Sequence, residues 1–338
     1  MAQVAHLPVY RRLRNVRLVA LCDVEAPKLR ALRERTDVPH AVSSLEDLLA
    51  IDEVEAVDIC LPSHLHRAAV IQALEAGRHV LCEKPLALTA EDVADIAAAQ
   101  RASGRVVLVG MNNRYRDDSI LVKNSIEEGV LGEIFYARAA WVRRRERVRA
   151  RDWQYQRDQS GGGVFMDIGI QLLDLLLWLA GYPEPERATA AFYHHMPDIE
   201  VEDTAVAAVR CEGGLTVSLE ASWRFLVEPE EQRVEVYGTE GTALLSSAGG
   251  TAEPRIQILQ RLHGGIIDVT PTSRRPRAHP YIESYEREIA FFGEVVAGRE
   301  EMPSLDEQLA LARAVEAIGR SALEGREAQV ERAAATPA

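Results

Sequence analysis

Val80-Leu81-Cys82-Glu83-Lys84-Pro85-Leu86 is a short apolar run that delivers a lysine at its carboxyl end. Its length and composition read as a buried parallel strand. Open α/β sheets carry their chemistry outside the carboxyl ends of their strands. A lysine placed there can be partly desolvated, an environment that tunes a lysine for proton transfer. The alternative is a surface lysine in an ordinary βα loop. Working outward, a strand at 57–61 ends in Ile59-Cys60-Leu61-Pro62-Ser63-His64-Leu65-His66, and a helix over 66–76 joins it to the lysine strand. On the other side a helix over 90–102 leads to a strand at 106–110. Nearer the amino terminus, residues 3–14 read as helical, 16–22 as a strand ending in Asp23, and 45–49 as a helix. Alternation with short connections predicts a doubly wound parallel sheet.

Asp23 has two readings. An acidic residue ending the second strand of a dinucleotide fold accepts hydrogen bonds from the adenosine ribose and repels a 2′-phosphate, which favours NAD over NADP. The same residue can cap the helix over 25–35. The sheet also lacks something. Such a fold opens with a strand and a G-x-G-x-x-G loop whose amides meet the pyrophosphate at a helix N-terminus, and no such pattern occurs in the chain. In the strand order 3-2-1-4-5-6 the missing first strand is central, so its neighbours each keep a row of unpaired backbone groups. At about 1–3 kcal/mol for each buried unsatisfied group, that loss is severe. Met1 is therefore expected to be an internal methionine of a chain that starts roughly a dozen residues upstream.

The two strand ends, Leu61-Pro62-Ser63-His64-Leu65-His66 and Glu83-Lys84-Pro85, are followed by Met111-Asn112-Asn113-Arg114-Tyr115 and by Gly161-Gly162-Gly163-Val164-Phe165-Met166-Asp167-Ile168-Gly169-Ile170-Gln171-Leu172-Leu173-Asp174. In this order they resemble the Gfo/Idh/MocA family of nicotinamide-dependent sugar and polyol oxidoreductases. The resemblance implies an N-terminal Rossmann-like parallel sheet over 1–118, here without its first strand. It implies a C-terminal α+β domain over 119–338 with a large, mostly antiparallel open sheet. It makes Lys84 the catalytic lysine and sets Leu61, Pro62, His64, His66, Glu83, Lys84 and Asn112 against NAD. Arg114 would orient substrate hydroxyls, a structural ion pair being the alternative. The family pattern G-G-G-x-x-x-D-x-G-x-H-x-x-D puts Asp167 and the residue four positions on, here Gln171, towards the reacting carbon. An i, i+4 spacing does bring both to one helix face. An amide can hold a hydroxyl but cannot take up its proton, so any base role passes to Lys84 or to a water. Asp174 reads as buried structure.

Composition narrows the partners. A chain of 338 residues is comfortable for two domains, and a net charge of −13 argues against nucleic acid or an anionic membrane as the main partner. No apolar run is expected to span a membrane, and the amino terminus lacks the regions of a signal peptide. Cys22, Cys60, Cys82 and Cys211 have no metal or disulfide spacing and read as reduced residues of a cytoplasmic protein. Arg138, Arg143, Arg144, Arg145, Arg147, Arg149 and Arg151 crowd a short stretch. They form either a solvated loop or an arm closing over an anionic substrate. His194-His195 reads as surface loop rather than metal site. Paired runs at 204–211 and 215–223 flank Glu212-Gly213-Gly214, a hairpin signature, and 233–237 and 242–246 flank Gly238-Thr239-Glu240-Gly241, a turn similar to the family's G-T-x-G. Helices are expected over 281–296 and 305–323. An open sheet with one covered face predicts a homodimer or homotetramer. The activity expected is NAD-dependent hydride transfer on a sugar or cyclitol, possible anionic substrates included. The rivals are a sugar and dinucleotide sensor without turnover and a non-functional fragment.

Overall fold

A computed structural model describes residues 1–143, 149, 151–225, 230–248, 255–271 and 280–331. The chain divides into two compact units, one of Met1–Ala87, Glu91–Gly110 and Tyr285–Leu305, the other of Leu88–Ala90, Met111–Ser284 and Asp306–Ala338. The division after Gly110 comes earlier than the expected 118, and a segment nearly two hundred residues downstream joins the first unit.

The first unit holds five parallel strands, β1 Ala20–Cys22, β2 His40–Val42, β3 Ala56–Ile59, β4 His79–Glu83 and β5 Val107–Gly110. They form two sheets. β1 pairs with β2, while β3, β4 and β5 make a second sheet with Val57 opposite Val80 and Val80 opposite Val107. The break falls between β1 and β3, where the doubly wound order calls for its first strand. β1 is shorter than the predicted 16–22 because only three residues find a ladder partner in β2. The helices follow local chemistry. Ser44 accepts a hydrogen bond from the Asp47 N–H and so caps Leu45–Leu49. The helix His66–Glu75 buries Ala69, Val70, Ala73 and Leu74 at helical spacing. Val80, Leu81 and Cys82 of β4 are completely buried, as a strand covered on both faces requires.

The second unit is built on one nine-stranded sheet. Its strands are β6 Ile134–Val142, β7 Pro185–Tyr193, β8 Thr204–Cys211, β9 Thr216–Ser222, β10 Glu231–Gly238, β11 Gly241–Ala248, β12 Arg255–Leu262, β13 Gly265–Asp268 and β14 Ala328–Gln329. The order is β13-β12-β11-β10-β6-β9-β8-β7-β14, antiparallel throughout except for the β6/β9 pair. Alternation sets its faces. In β8, Ala205, Ala207, Val209 and Cys211 are buried while Val206 and Arg210 are exposed. Helices Ile170–Leu179 and Asp306–Glu324 cover the buried face. The opposite face, to which Val206 and its neighbours Glu220 and Ala140 belong, leaves Val206 44% exposed. Arg157–Leu179 is long and apolar enough by composition to cross a membrane, contrary to the expectation from sequence, but 83% of its apolar window is buried inside the protein. Its apolar character serves this core. All four cysteines are free; Cys22 is exposed, Cys60 half-buried, and Cys82 and Cys211 are buried.

Candidate active site

In the first unit the strand ends carry most of the predicted residues. Asp23 leaves β1 with Oδ1 accepting from the Glu25 N–H at 2.9 Å and Oδ2 2.5 Å from the Lys28 ammonium. Both carboxylate oxygens thus meet groups of the turn into Ala26–Thr36, whose N-cap is Glu25 rather than Asp23. Beyond β3, Leu61 is 42% exposed and His64 is exposed on the turn Ser63–Leu65, with Pro62 half-buried between them. His66 instead points inward. Its ring nitrogens lie 2.7 Å from the Pro85 carbonyl oxygen and 2.9 Å from that of Leu61, fastening the two strand-end loops together. Burial pushes its pKa below the ordinary histidine value.

At the end of β4, Glu83 is buried and Lys84 half-buried. Glu83 Oε2 accepts from the Lys84 N–H at 3.2 Å, and Oε1 lies 3.0 Å from His6 Nε2. His6, 1% exposed, places its other nitrogen 2.7 Å from Asp58 Oδ2, which also accepts from the Tyr10 hydroxyl at 2.8 Å. Burial alone would lower the His6 pKa. The charge of Asp58 and hydrogen bonds to Asp58, Cys60 and Glu83 hold it well above the ordinary value. The same burial and the Asp58 charge push the Cys60 thiol up to about 12. Ligand atoms of His6, Asp58 and Cys60 lie within 4.8 Å of one another, a spacing a metal could use. The His6–Asp58 separation is that of a hydrogen bond, and the Cys60 sulfur lies 3.7 Å from His6 Nδ1 and 3.5 Å from Asp58 Oδ1, so the trio is joined as a hydrogen-bonded network.

In the second unit the glycine run leads into a turn over Phe165–Gly169 and the helix Ile170–Leu179. Gly163 is obligatory, because a Cβ there would lie 2.0 Å from the Glu202 carbonyl oxygen. Glu202 Oε1 accepts from the Gly163 and Phe165 N–H groups at 2.8 and 3.0 Å, which fixes the start of the segment bearing Asp167. Asp167 Oδ2 contacts the Arg143 guanidinium and accepts from the Trp223 indole N–H at 3.1 Å. Gln171 Nε2 donates to the Asp167 carbonyl at 3.2 Å, and its Oε1 accepts from the Asn113 amide at 3.2 Å. The structure therefore brings Asp167, Gln171, Asn113 and Arg143 together.

Other predicted residues go elsewhere. Arg114 forms a forked pair with Asp174 at 2.7 and 2.5 Å and reaches Glu307 at 2.6 Å, which is the ion-pair alternative for this residue. Asn112 is buried, its amide donating to Ser284 at 3.0 Å. Arg138 pairs with Glu235 at the surface, and Arg144, Arg145 and Arg147 lie outside the described residues. His194 and His195 are exposed. His6, Asp58, Arg143, Trp223 and Glu202 were not singled out for these contacts by sequence reasoning, although a charged Asp58 between Val57 and Ile59 of a buried strand signals a buried partner.

Residues 1–111 match the description "Oxidoreductase family, NAD-binding Rossmann fold", and residues 120–244 match "GFO/IDH/MocA C-terminal domain". A putative UDP-kanosamine synthase oxidoreductase subunit of Amycolatopsis mediterranei is 31% identical over 270 residues, 74% of this chain and 73% of that protein. The chain belongs to the Gfo/Idh/MocA oxidoreductase family. Among Gfo/Idh/MocA relatives, a D-glucoside 3-dehydrogenase of Escherichia coli is 30% identical over 191 residues, 56% of this chain and 54% of that one. The crystal structure of an aldose-aldose oxidoreductase from Caulobacter crescentus complexed with glycerol superposes with a TM-score of 0.82 at 26% identity, covering 97% of this chain and 95% of the other. The first unit is thus an NAD-binding Rossmann fold. Its strand ends fit that cofactor with an acidic residue after β1 and an exposed Leu61 beside a half-buried Pro62 after β3, while no glycine loop for the pyrophosphate stands among the described residues.

Proposed function

We propose that the chain is an enzyme that transfers a hydride between NAD and a hydroxyl or carbonyl carbon of a sugar, sugar derivative or cyclitol. The observation that carries this reading is the position of Lys84, directly after the buried strand β4 with its backbone held by Glu83. NAD, when bound, supplies the hydride acceptor or donor. Lys84 takes up the proton of the reacting hydroxyl during oxidation and returns it during reduction. Asp167 and Gln171 hold sugar hydroxyls; Gln171, as an amide, exchanges hydrogen bonds without exchanging protons. Asp23, Leu61, Pro62 and His64 would line the cofactor surface of the first unit, with His66 and Glu83 buried behind it, and Asn112 of the second unit is assigned to the cofactor by its motif alone. Arg114 is left out because its guanidinium is committed to Asp174 and Glu307. The names of the glucoside dehydrogenase and aldose oxidoreductase relatives support a sugar as substrate. An anionic sugar would have to draw Arg143 away from Asp167, so neutral substrates are favoured over uronates. The sheet face that carries the exposed Val206 is where a second copy would sit in a homodimer or homotetramer.

The test is Lys84→Ala, assayed with NAD against a panel of aldoses, cyclitols and uronates by reduced-nicotinamide absorbance. General acid–base assistance is worth about 10²–10⁴ in rate, so kcat should fall by that factor while sugar affinity stays within a few-fold. Retention of more than about a tenth of the wild-type kcat, against that range, rejects the role. The sensor reading is favoured by one observation, the amide at position 171 engaged at both ends. A sensor is stabilised by NAD yet gives no absorbance change with any sugar of the panel.

A further inference from the structure

We propose that His6 is a positioning residue for Lys84, acting through Glu83. The argument rests on the proton-transfer role of Lys84 given above and starts from the two oxygens of one buried carboxylate. Glu83 Oε2 holds the Lys84 N–H and Oε1 faces His6 Nε2, so the orientation of this carboxylate is set from one side by the histidine and passed to the lysine backbone on the other. The imidazole cannot turn away. Its Nδ1 is held by Asp58, Asp58 is held by Tyr10, and the ring packs at 5.4 Å from that of Tyr285.

Carboxylates only accept when ionised. A histidine between two of them satisfies both contacts only by donating from both nitrogens, that is, as an imidazolium. The buried group is then one cation between two anions, each hydrogen-bonded, an arrangement that is costly to break from one side because it leaves an uncompensated charge. Removing the His6–Glu83 bond should therefore free Glu83 to swing, and the Lys84 amide should lose its acceptor. Asn and Gln separate the two halves of the histidine. A glutamine at position 6 carries its amide nitrogen near the place of Nε2 and keeps the bond to Glu83, whereas an asparagine reaches only as far as Nδ1 and keeps the bond to Asp58.

The experiment compares His6→Asn and His6→Gln in the full chain by the backbone amide resonance of Lys84 and by turnover with NAD and the best aldose of the panel. His6→Asn should shift the Lys84 amide, speed its exchange with solvent, and lower kcat at least tenfold with sugar KM within twofold. His6→Gln should restore both the resonance and kcat to within about threefold. A merely structural histidine would lower the melting temperature in both variants without moving the Lys84 amide or kcat per folded molecule, and that result overturns the proposal. If His6→Asn fails to fold, the wild-type protein still decides: at about pH 8, more than one unit above the ordinary histidine value, the ring nitrogens of His6 should both read as protonated. A neutral ring there overturns the proposal. Turnover by Lys84→Ala would instead sink the role of Lys84 itself, a failure visible without reference to His6.

Discussion

The two units hold their functional side chains by different means. In the second, one hydrogen-bonded ladder runs through nine strands, and Asp167 and Gln171 sit on a segment packed against that ladder. In the first, the parallel ladder stops between β1 and β3. There, buried side chains cross-link what the backbone does not. His6 ties the first helical turn to β3 and β4, His66 ties Leu61 to Pro85, and the Arg78 guanidinium donates to the Leu49 and Ile51 carbonyls. A ladder fails cooperatively, whereas a side-chain tether can be removed by one substitution. The first unit should therefore be locally softer and its lysine more sensitive to distant mutations.

The contrast is broken or sharpened most strongly by amide exchange. Three-residue strands paired on one edge open at low cost, while central strands of a large sheet open only with the whole unit. Amides of β8 and β9 should exchange at least about 10³-fold more slowly than those of β1 and β2, a gap of about 4 kcal/mol. Equal protection would show that the interruption of the parallel sheet carries no local weakness.

A smaller effect is expected from Gly163→Ala. The new methyl would meet the Glu202 carbonyl at 2.0 Å, and backbone cannot step aside as a flexible side chain does. Overpacking of this kind costs about 3 kcal/mol, to be read from urea midpoints, with amide exchange in β3, β4 and β5 unchanged. A loss below about 0.5 kcal/mol, the scatter of neutral substitutions, would mean that the glycine run is not the anchor of the Asp167 segment.

What the sequence disclosed follows the range of the forces involved. The strands β3, β4 and β5, their helices and the β8/β9 hairpin were legible because apolar runs and turn glycines are local signals; Gly213 and Gly214 indeed take φ of 76° and 87°. β7 was not, since Pro185-Glu186-Arg187-Ala188-Thr189-Ala190-Ala191 has weak strand propensity and becomes a strand through pairing with β8. The assignment of Tyr285–Leu305 to the first unit has no local signature either. In the candidate site, Lys84, Asp167 and Gln171 stood in recognisable spacings. Their partners did not, because His6 meets Glu83 across 77 positions and Arg143 meets Asp167 across 24. Arg114 shows the converse: its motif position invited a substrate role, and a buried Asp174 sixty positions away takes its guanidinium.

The smallest effect concerns a second buried acid, and it tests whether polar burial is equally well compensated in the two units. Glu83 uses both oxygens, but of Glu202, 1% exposed, only Oε1 meets N–H donors, and Oε2 has no hydrogen-bond partner among the described residues. Burial pushes the Glu202 carboxyl above its ordinary value, more than the Gly163 and Phe165 N–H groups pull it down. A carboxyl whose folded pKa is raised contributes its stability below the unfolded pKa and loses it as pH rises through the folded one. Glu202→Gln keeps an oxygen for the two N–H groups and cannot ionise. The difference in stability between variant and wild type should thus move in favour of the variant as pH rises above the ordinary carboxylate range, by about 1.4 kcal/mol for each unit of pKa elevation. Urea titrations of both proteins at mildly acidic and mildly alkaline pH measure it. Parallel pH dependence would mean that Glu202 ionises as readily folded as unfolded, and that the second unit, like the His6 network of the first, fully compensates its buried charge.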